Sequence, residues 1–74
     1  MPYAVQIGIF DSNEELRKLD AELQSQGYLP YSLQDATDDD KSRLLIGAYR
    51  TEKDAARLTQ NLQQKGLSPE VVLR

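Results

Sequence analysis

VQIGIF at residues 5–10 and LLIGAY at residues 44–49 are two versions of one pattern, an apolar stretch broken by a single glycine and closed by an aromatic ring. Sliding the chain along itself by 39 positions places Ile7-Gly8 on Ile46-Gly47 and Phe10 on Tyr49. The same shift places Ser12 on Thr51, Leu19 on Leu58, Leu23-Gln24 on Leu62-Gln63, Gly27 on Gly66 and Pro30 on Pro69. The matches run through a whole half of the chain, so they describe a duplicated unit. Two units are too few for a solenoid, and the expected product is one compact pseudo-symmetric domain over residues 3–74.

Each half parses in the same way. Tyr3–Phe10 is rich in β-branched and aromatic residues and stops at Asp11-Ser12, which predicts a strand. Ser12-Asn13-Glu14-Glu15 has the form of a capping box, with the Ser12 hydroxyl on the Glu15 amide. Leu16, Leu19 and Leu23 then recur at helical spacing, and Gly27 supplies the left-handed turn that ends a helix. A second strand is expected over residues 30–34. In the second half the strand covers residues 43–49, Thr51 and Asp54 form the cap, and Ala55, Leu58 and Leu62 form the stripe. Gly66 ends this helix, and residues 70–73 form the last strand. Between the halves, 3–34 and 42–74, lies a polar loop over residues 35–41 carrying Asp38-Asp39-Asp40, expected to be flexible.

The order βαββαβ predicts an α+β fold of the split βαβ type, ferredoxin-like or RNP-like. Its four-stranded antiparallel sheet carries both helices on one face, with the two quoted stretches as the central strands.

Composition removes several functions. The chain has 74 residues, no cysteine, no histidine and a net charge of -3. Without cysteine there is no disulfide framework or thiolate zinc site. Without histidine the usual general base is missing, and the scattered acids form no catalytic partnership, so no enzyme, catalytic residue, cofactor or metal is expected. Three consecutive aspartates are not a calcium-loop spacing. The acidic balance argues against nucleic acid, whose phosphates need a basic face. An RRM would also need aromatics on its inner strands, where this chain has Gln6 and Leu45. No apolar run approaches the ~18 residues of a membrane span, and these residues contain no basic-then-apolar signal peptide.

Strand alternation sorts the central residues onto two faces. Val5, Ile7, Leu44 and Ile46 fall on one, which the helix leucines would cover. Ala4, Gln6, Gly8, Arg43, Leu45 and Gly47 fall on the other, which no helix is left to cover. Such a face is either simply solvated or a shallow groove floored by backbone at Gly8 and Gly47. A groove of that kind suits hydroxyls, acetamides and carboxylates, because Gln6 can donate and accept and Arg43 can grip a carboxylate bidentately. On the last strand Val72, the counterpart of Leu33, is expected to face the core. Val71 and Leu73 are then an outward apolar wall, or a frayed end.

These residues resemble the SPOR domain (sporulation-related repeat), a bacterial cell-envelope module, from Tyr3 to Leu73. The family opens with an aromatic and Val-Gln-x-Gly-x-Phe, here Tyr3-Ala4-Val5-Gln6-Ile7-Gly8-Ile9-Phe10. It continues with Arg-Val-x-x-Gly-x-aromatic, here Arg43-Leu44-Leu45-Ile46-Gly47-Ala48-Tyr49. A capped helix with paired alanines follows, here Thr51 and Ala55-Ala56. The resemblance implies a non-catalytic module that binds peptidoglycan glycan strands stripped of stem peptides at the division septum. It implies work in the cell envelope, on the periplasmic or extracellular side, with any targeting segment outside these residues. It assigns the contacts to the open sheet face: Gln6 on the first strand, Arg43 on the third, Val71 on the fourth, with Gly8, Gly47 and Leu45 beside them. Two positions depart from the family pattern. Ile9 replaces a small polar residue, and Lys41 stands where some members carry an aromatic. Lys41 either attracts a lactyl carboxylate or is a solvated loop residue. A monomer is expected, with no nucleic acid and no membrane insertion by this segment. The alternative is a small protein-interaction or regulatory module on the same fold.

Overall fold

A computed structural model describes all residues, Met1–Arg74. Strand β1 spans Tyr3–Phe10, helix α1 Asn13–Ser25, β2 Pro30–Gln34, β3 Ser42–Tyr49, α2 Glu52–Gln63 and β4 Glu70–Leu73. The strands form one antiparallel sheet in the order β2-β3-β1-β4, so the duplicated stretches are its centre as expected.

The helices begin and end on the residues that the sequence singles out. Thr51 Oγ1 accepts the Asp54 amide at 3.2 Å. Ser12 Oγ accepts the Glu14 amide at 3.2 Å, one residue earlier than the capping-box pattern predicts. Each cap satisfies an otherwise orphaned amide and contributes about 1 kcal/mol. At the end of α1 the Gly27 amide donates to Gln24 O and the Tyr28 amide to Leu23 O, at 3.0 and 3.1 Å. That pair of bonds needs a left-handed residue, and Gly27 has φ of 96°.

Both helices cover one face. There Val5, Ile7, Leu16, Leu23, Leu44, Ile46, Ala55 and Leu62 form the buried core, with Tyr3, Phe10, Tyr49 and Val71 packed around it. Ala4 and Leu45 are equally inaccessible, at 0% exposure, yet lie outside that cluster. They belong to the opposite face of the sheet.

The central pairing is not a plain ladder. Gln6 pairs with Leu45 and Gly8 with Leu44, so Ile7-Gly8 bulges against one residue of β3. A second irregularity lies where Tyr3 and Val5 pair with Tyr49 and Ile46, with one residue between on β1 and two on β3. The irregularities fall beside the two Ile-Gly pairs.

Expectations about the two faces of the sheet change. A side chain at Gly8 would meet the Phe10 ring at 3.0 Å, and one at Gly47 would meet the Tyr49 ring at 2.5 Å. Both rings pack on the core. The glycines therefore make room for core aromatics and do not floor a groove on the open face. On β4, Val71 pairs with Val5 and packs on the core, while Val72 pairs with Ala4 on the other side. The expected phase of β4 is thus reversed, and Val71 is not an outward wall. Leu33, which the 39-residue shift matches to Val72, pairs with Arg43 on the open face and not with the core. The loop over residues 35–41 is a closed, bonded turn. The Asp35 amide donates to Lys41 O at 2.9 Å, and the Asp40 amide donates to Asp38 Oδ1 at 3.0 Å.

Candidate functional site on the open sheet face

The uncovered face reads as rows across the strands. One row runs Tyr31, Leu45, Gln6, Glu70, and the next runs Leu33, Arg43, Ile9. Gln6 and Arg43, adjacent rows on neighbouring strands, meet directly: Arg43 Nη1 donates to Gln6 Oε1 at 3.3 Å. That bond takes one of the two lone pairs of the glutamine carbonyl and leaves the Gln6 amide N–H groups as donors.

Arg43 has a second neighbour. Its Nε lies 4.0 Å from Asp35 Oδ1, with side-chain exposures of 21% and 17%. The Nε itself is buried without a hydrogen-bond partner. At that distance the contact is an ion pair and not a hydrogen bond. Asp35 is held in turn by Thr37, whose Oγ1 donates to Asp35 Oδ2 at 2.8 Å. The Thr37 hydroxyl holds the Asp35 carboxyl below its ordinary pKa, and the Arg43 charge acts in the same direction more weakly.

Leu45 is beneath the surface. Tyr31 is its neighbour on β2, and the Tyr31 hydroxyl donates to Gly47 O at 2.8 Å. The Arg74 guanidinium lies 5.6 Å from the centre of the Tyr31 ring. With 0% exposure Leu45 supports the face and cannot touch a ligand. Ile9 does reach the surface. The bulge at Ile7-Gly8 turns it to the open side beside Arg43, where it is 51% exposed. Leu33 is 39% exposed on the other side of Arg43, so two aliphatic side chains bracket the guanidinium. Lys41 pairs with Asp11 at 3.8 Å at the rim, both side chains well exposed.

Of the expected site residues, the structure brings together Gln6, Arg43 and Ile9 and leaves Lys41 at the edge. Gly8, Gly47, Leu45 and Val71 lie beneath the face or on its other side. Asp35, Leu33, Tyr31 and Glu70 were not anticipated. The signal for three of them was present, since Tyr31, Leu33 and Asp35 continue one alternation along β2 towards Arg43.

No helix is long and apolar enough to cross a membrane, and no cluster of three or more acidic side chains converges as metal ligands do. The main concavity, lined by Tyr28, Asn61, Gln64 and Lys65, lies in the helical layer and not on this face.

The family model described as SPOR domain matches residues 2–73. Among solved structures, the fold is similar to the solution structure of the peptidoglycan binding domain of the B. subtilis cell wall lytic enzyme CwlC. The TM-score is 0.79 at 25% identity, over 97% of this chain and 87% of that one. No curated protein matches the chain.

Proposed function

The chain belongs to the SPOR-domain family, and from that premise we propose that it is a non-catalytic module that binds peptidoglycan, with a preference for glycan strands freed of their stem peptides. The observation that carries the reading is the Arg43–Gln6 pair on the sheet face that no helix covers. Removing a stem peptide leaves a carboxylate on each N-acetylmuramic acid. The outer Nη edge of Arg43 can take that carboxylate, and the Gln6 amide can donate to an acetamide oxygen. Ile9 and Leu33 offer apolar surface for the C–H faces of sugar rings. An intact peptide converts the carboxylate to an amide and adds bulk over a shallow face, so selectivity combines a lost charge pair with a clash. Such a preference would direct a parent protein to the septum of a dividing bacterium, in the cell envelope, with the module acting as a monomer.

Fewer features now favour the interaction-module alternative, because Leu45 and Val71 do not contribute to an exposed apolar patch. The test is co-sedimentation with purified sacculi before and after amidase digestion. Pelleting that rises after digestion supports the reading. No pelleting with either sample rejects it and redirects attention to a protein partner on the same face.

A further inference from the structure

The cations of the proposed site do not face solvent unopposed. Asp35 stands 4.0 Å from Arg43 Nε and Asp11 3.8 Å from Lys41 Nζ. Glu70 pairs with Gln6 across the sheet. A face suited to an anionic glycan would gain affinity from free cations, and this one sets an acid beside both Arg43 and Lys41. The Asp35–Arg43 pair is the consequential one. Both side chains are half-buried, so the interaction is screened less than that of a fully exposed pair. It also sits on the residue that the binding reading uses. The Lys41–Asp11 pair is exposed and weak.

Resting on the peptidoglycan-binding reading, we infer that Asp35 is a specificity-determining residue that closes the Nε side of Arg43 and restrains the site's affinity for anionic glycan. The geometry leaves one route for a ligand carboxylate. Nε is buried and faces Asp35, and Nη1 is partly engaged by Gln6 Oε1. A carboxylate can approach only the outward Nη edge, and there it meets a guanidinium whose charge Asp35 already offsets. Discrimination then rests on donor geometry together with charge, and binding stays reversible along a polymer that repeats the carboxylate at every disaccharide. Thr37 is a positioning residue in this arrangement, because its hydroxyl fixes the Asp35 carboxylate.

The test compares the wild-type protein with Asp35→Asn on two probes. One is amidase-stripped glycan with free lactyl carboxylates, and the other is the same glycan amidated with carbodiimide and ammonia. The asparagine side chain keeps the shape of the aspartate and can still bond Thr37, but carries no charge. The expected result is about threefold to tenfold tighter binding of the free-carboxylate glycan by Asp35→Asn. That binding falls more steeply with salt than for wild type, and binding to amidated glycan is unchanged. Thr37→Val should shift binding in the same direction by less, and it serves as the test should Asp35→Asn fail to fold. Equal binding of wild type and folded variants to the free-carboxylate glycan overturns the inference, as does an equal gain on both probes. If wild-type protein binds neither glycan, the peptidoglycan reading itself fails. That result is distinct from wild type binding while the variants change nothing.

Discussion

Arg43 shows how much one residue's role depends on its neighbours. In isolation it is a free fork for a carboxylate, whereas in the fold it shares hydrogen bonding with Gln6 and charge with Asp35. Gln6→Ala removes the Nη1 acceptor and a ligand donor together. It should weaken glycan binding about threefold to tenfold, the worth of one hydrogen bond, while the thermal midpoint stays near wild type. Sedimentation with stripped glycan and a melting curve check both halves. Asp35 also leaves a pH signature. Its folded-state pKa is lowered, chiefly by Thr37, so its contribution to stability is present above the ordinary carboxylate value and is lost as pH falls through the folded one. Urea midpoints taken across the acid range, below about pH 4, should decline less for Asp35→Asn than for wild type. Parallel declines would remove Asp35 from the acid response.

The repeated Ile-Gly-x-aromatic segments act at the level of strand and bulge. In each copy the glycine lets the ring two residues on lie back over its own strand towards the core. The copies differ in cost. Gly47 has φ of 81°, a left-handed conformation, whereas Gly8 has no positive φ. Gly47→Ala combines backbone strain of about 1–3 kcal/mol with a clash against Tyr49, and it should destabilise more than Gly8→Ala, which asks only that Phe10 give slightly. Denaturant titrations of both variants test the order, and equal losses would contradict it. Burial of Tyr49 pushes its hydroxyl pKa above 10.0. Its stabilising share is complete below about pH 10 and is lost as pH rises through the higher folded value. Tyr49→Phe should therefore unfold less readily in alkali than wild type relative to its own midpoint at neutral pH.

At the scale of the whole molecule, a 74-residue chain has ten buried residues, all apolar, to oppose the entropy of folding. Domains of this size hold roughly 0.05–0.15 kcal/mol per residue, so one core truncation consumes much of the total. Leu23, on α1 against the sheet and 1% exposed, is the sharpest case. Leu23→Ala should cost about 2–5 kcal/mol. Leu19 lies on the same stripe but is only half-buried against the core, so Leu19→Ala should cost less, by urea denaturation of both. The reverse order would place α1 in another rotation.

The local code of this protein was legible in the order of its residues. Strand–helix boundaries, caps, the glycine after α1, the duplication and the central pairing follow from spacing, because each depends on contacts a few residues apart or on a period of two or 3.6. The SPOR motifs placed Gln6 and Arg43 on the open face, where they meet. Register was not legible. Simple alternation runs unbroken through Ile7-Gly8, whereas the bulge there resets it, turning Gly8 to the core side and Ile9 to the open face. The 39-residue shift puts Val72 inward with Leu33, and only the pairing with β1 sends Val71 inward and Val72 outward. Asp35 follows the same logic. Alternation continued from β2 points it to the open side, but only the hairpin that registers β2 on β3 brings it beside a half-buried guanidinium. Short-range order is encoded in the chain's period, but which side of a strand faces out depends on a bulge and on partners far along the chain, and those are decided when the sheet closes.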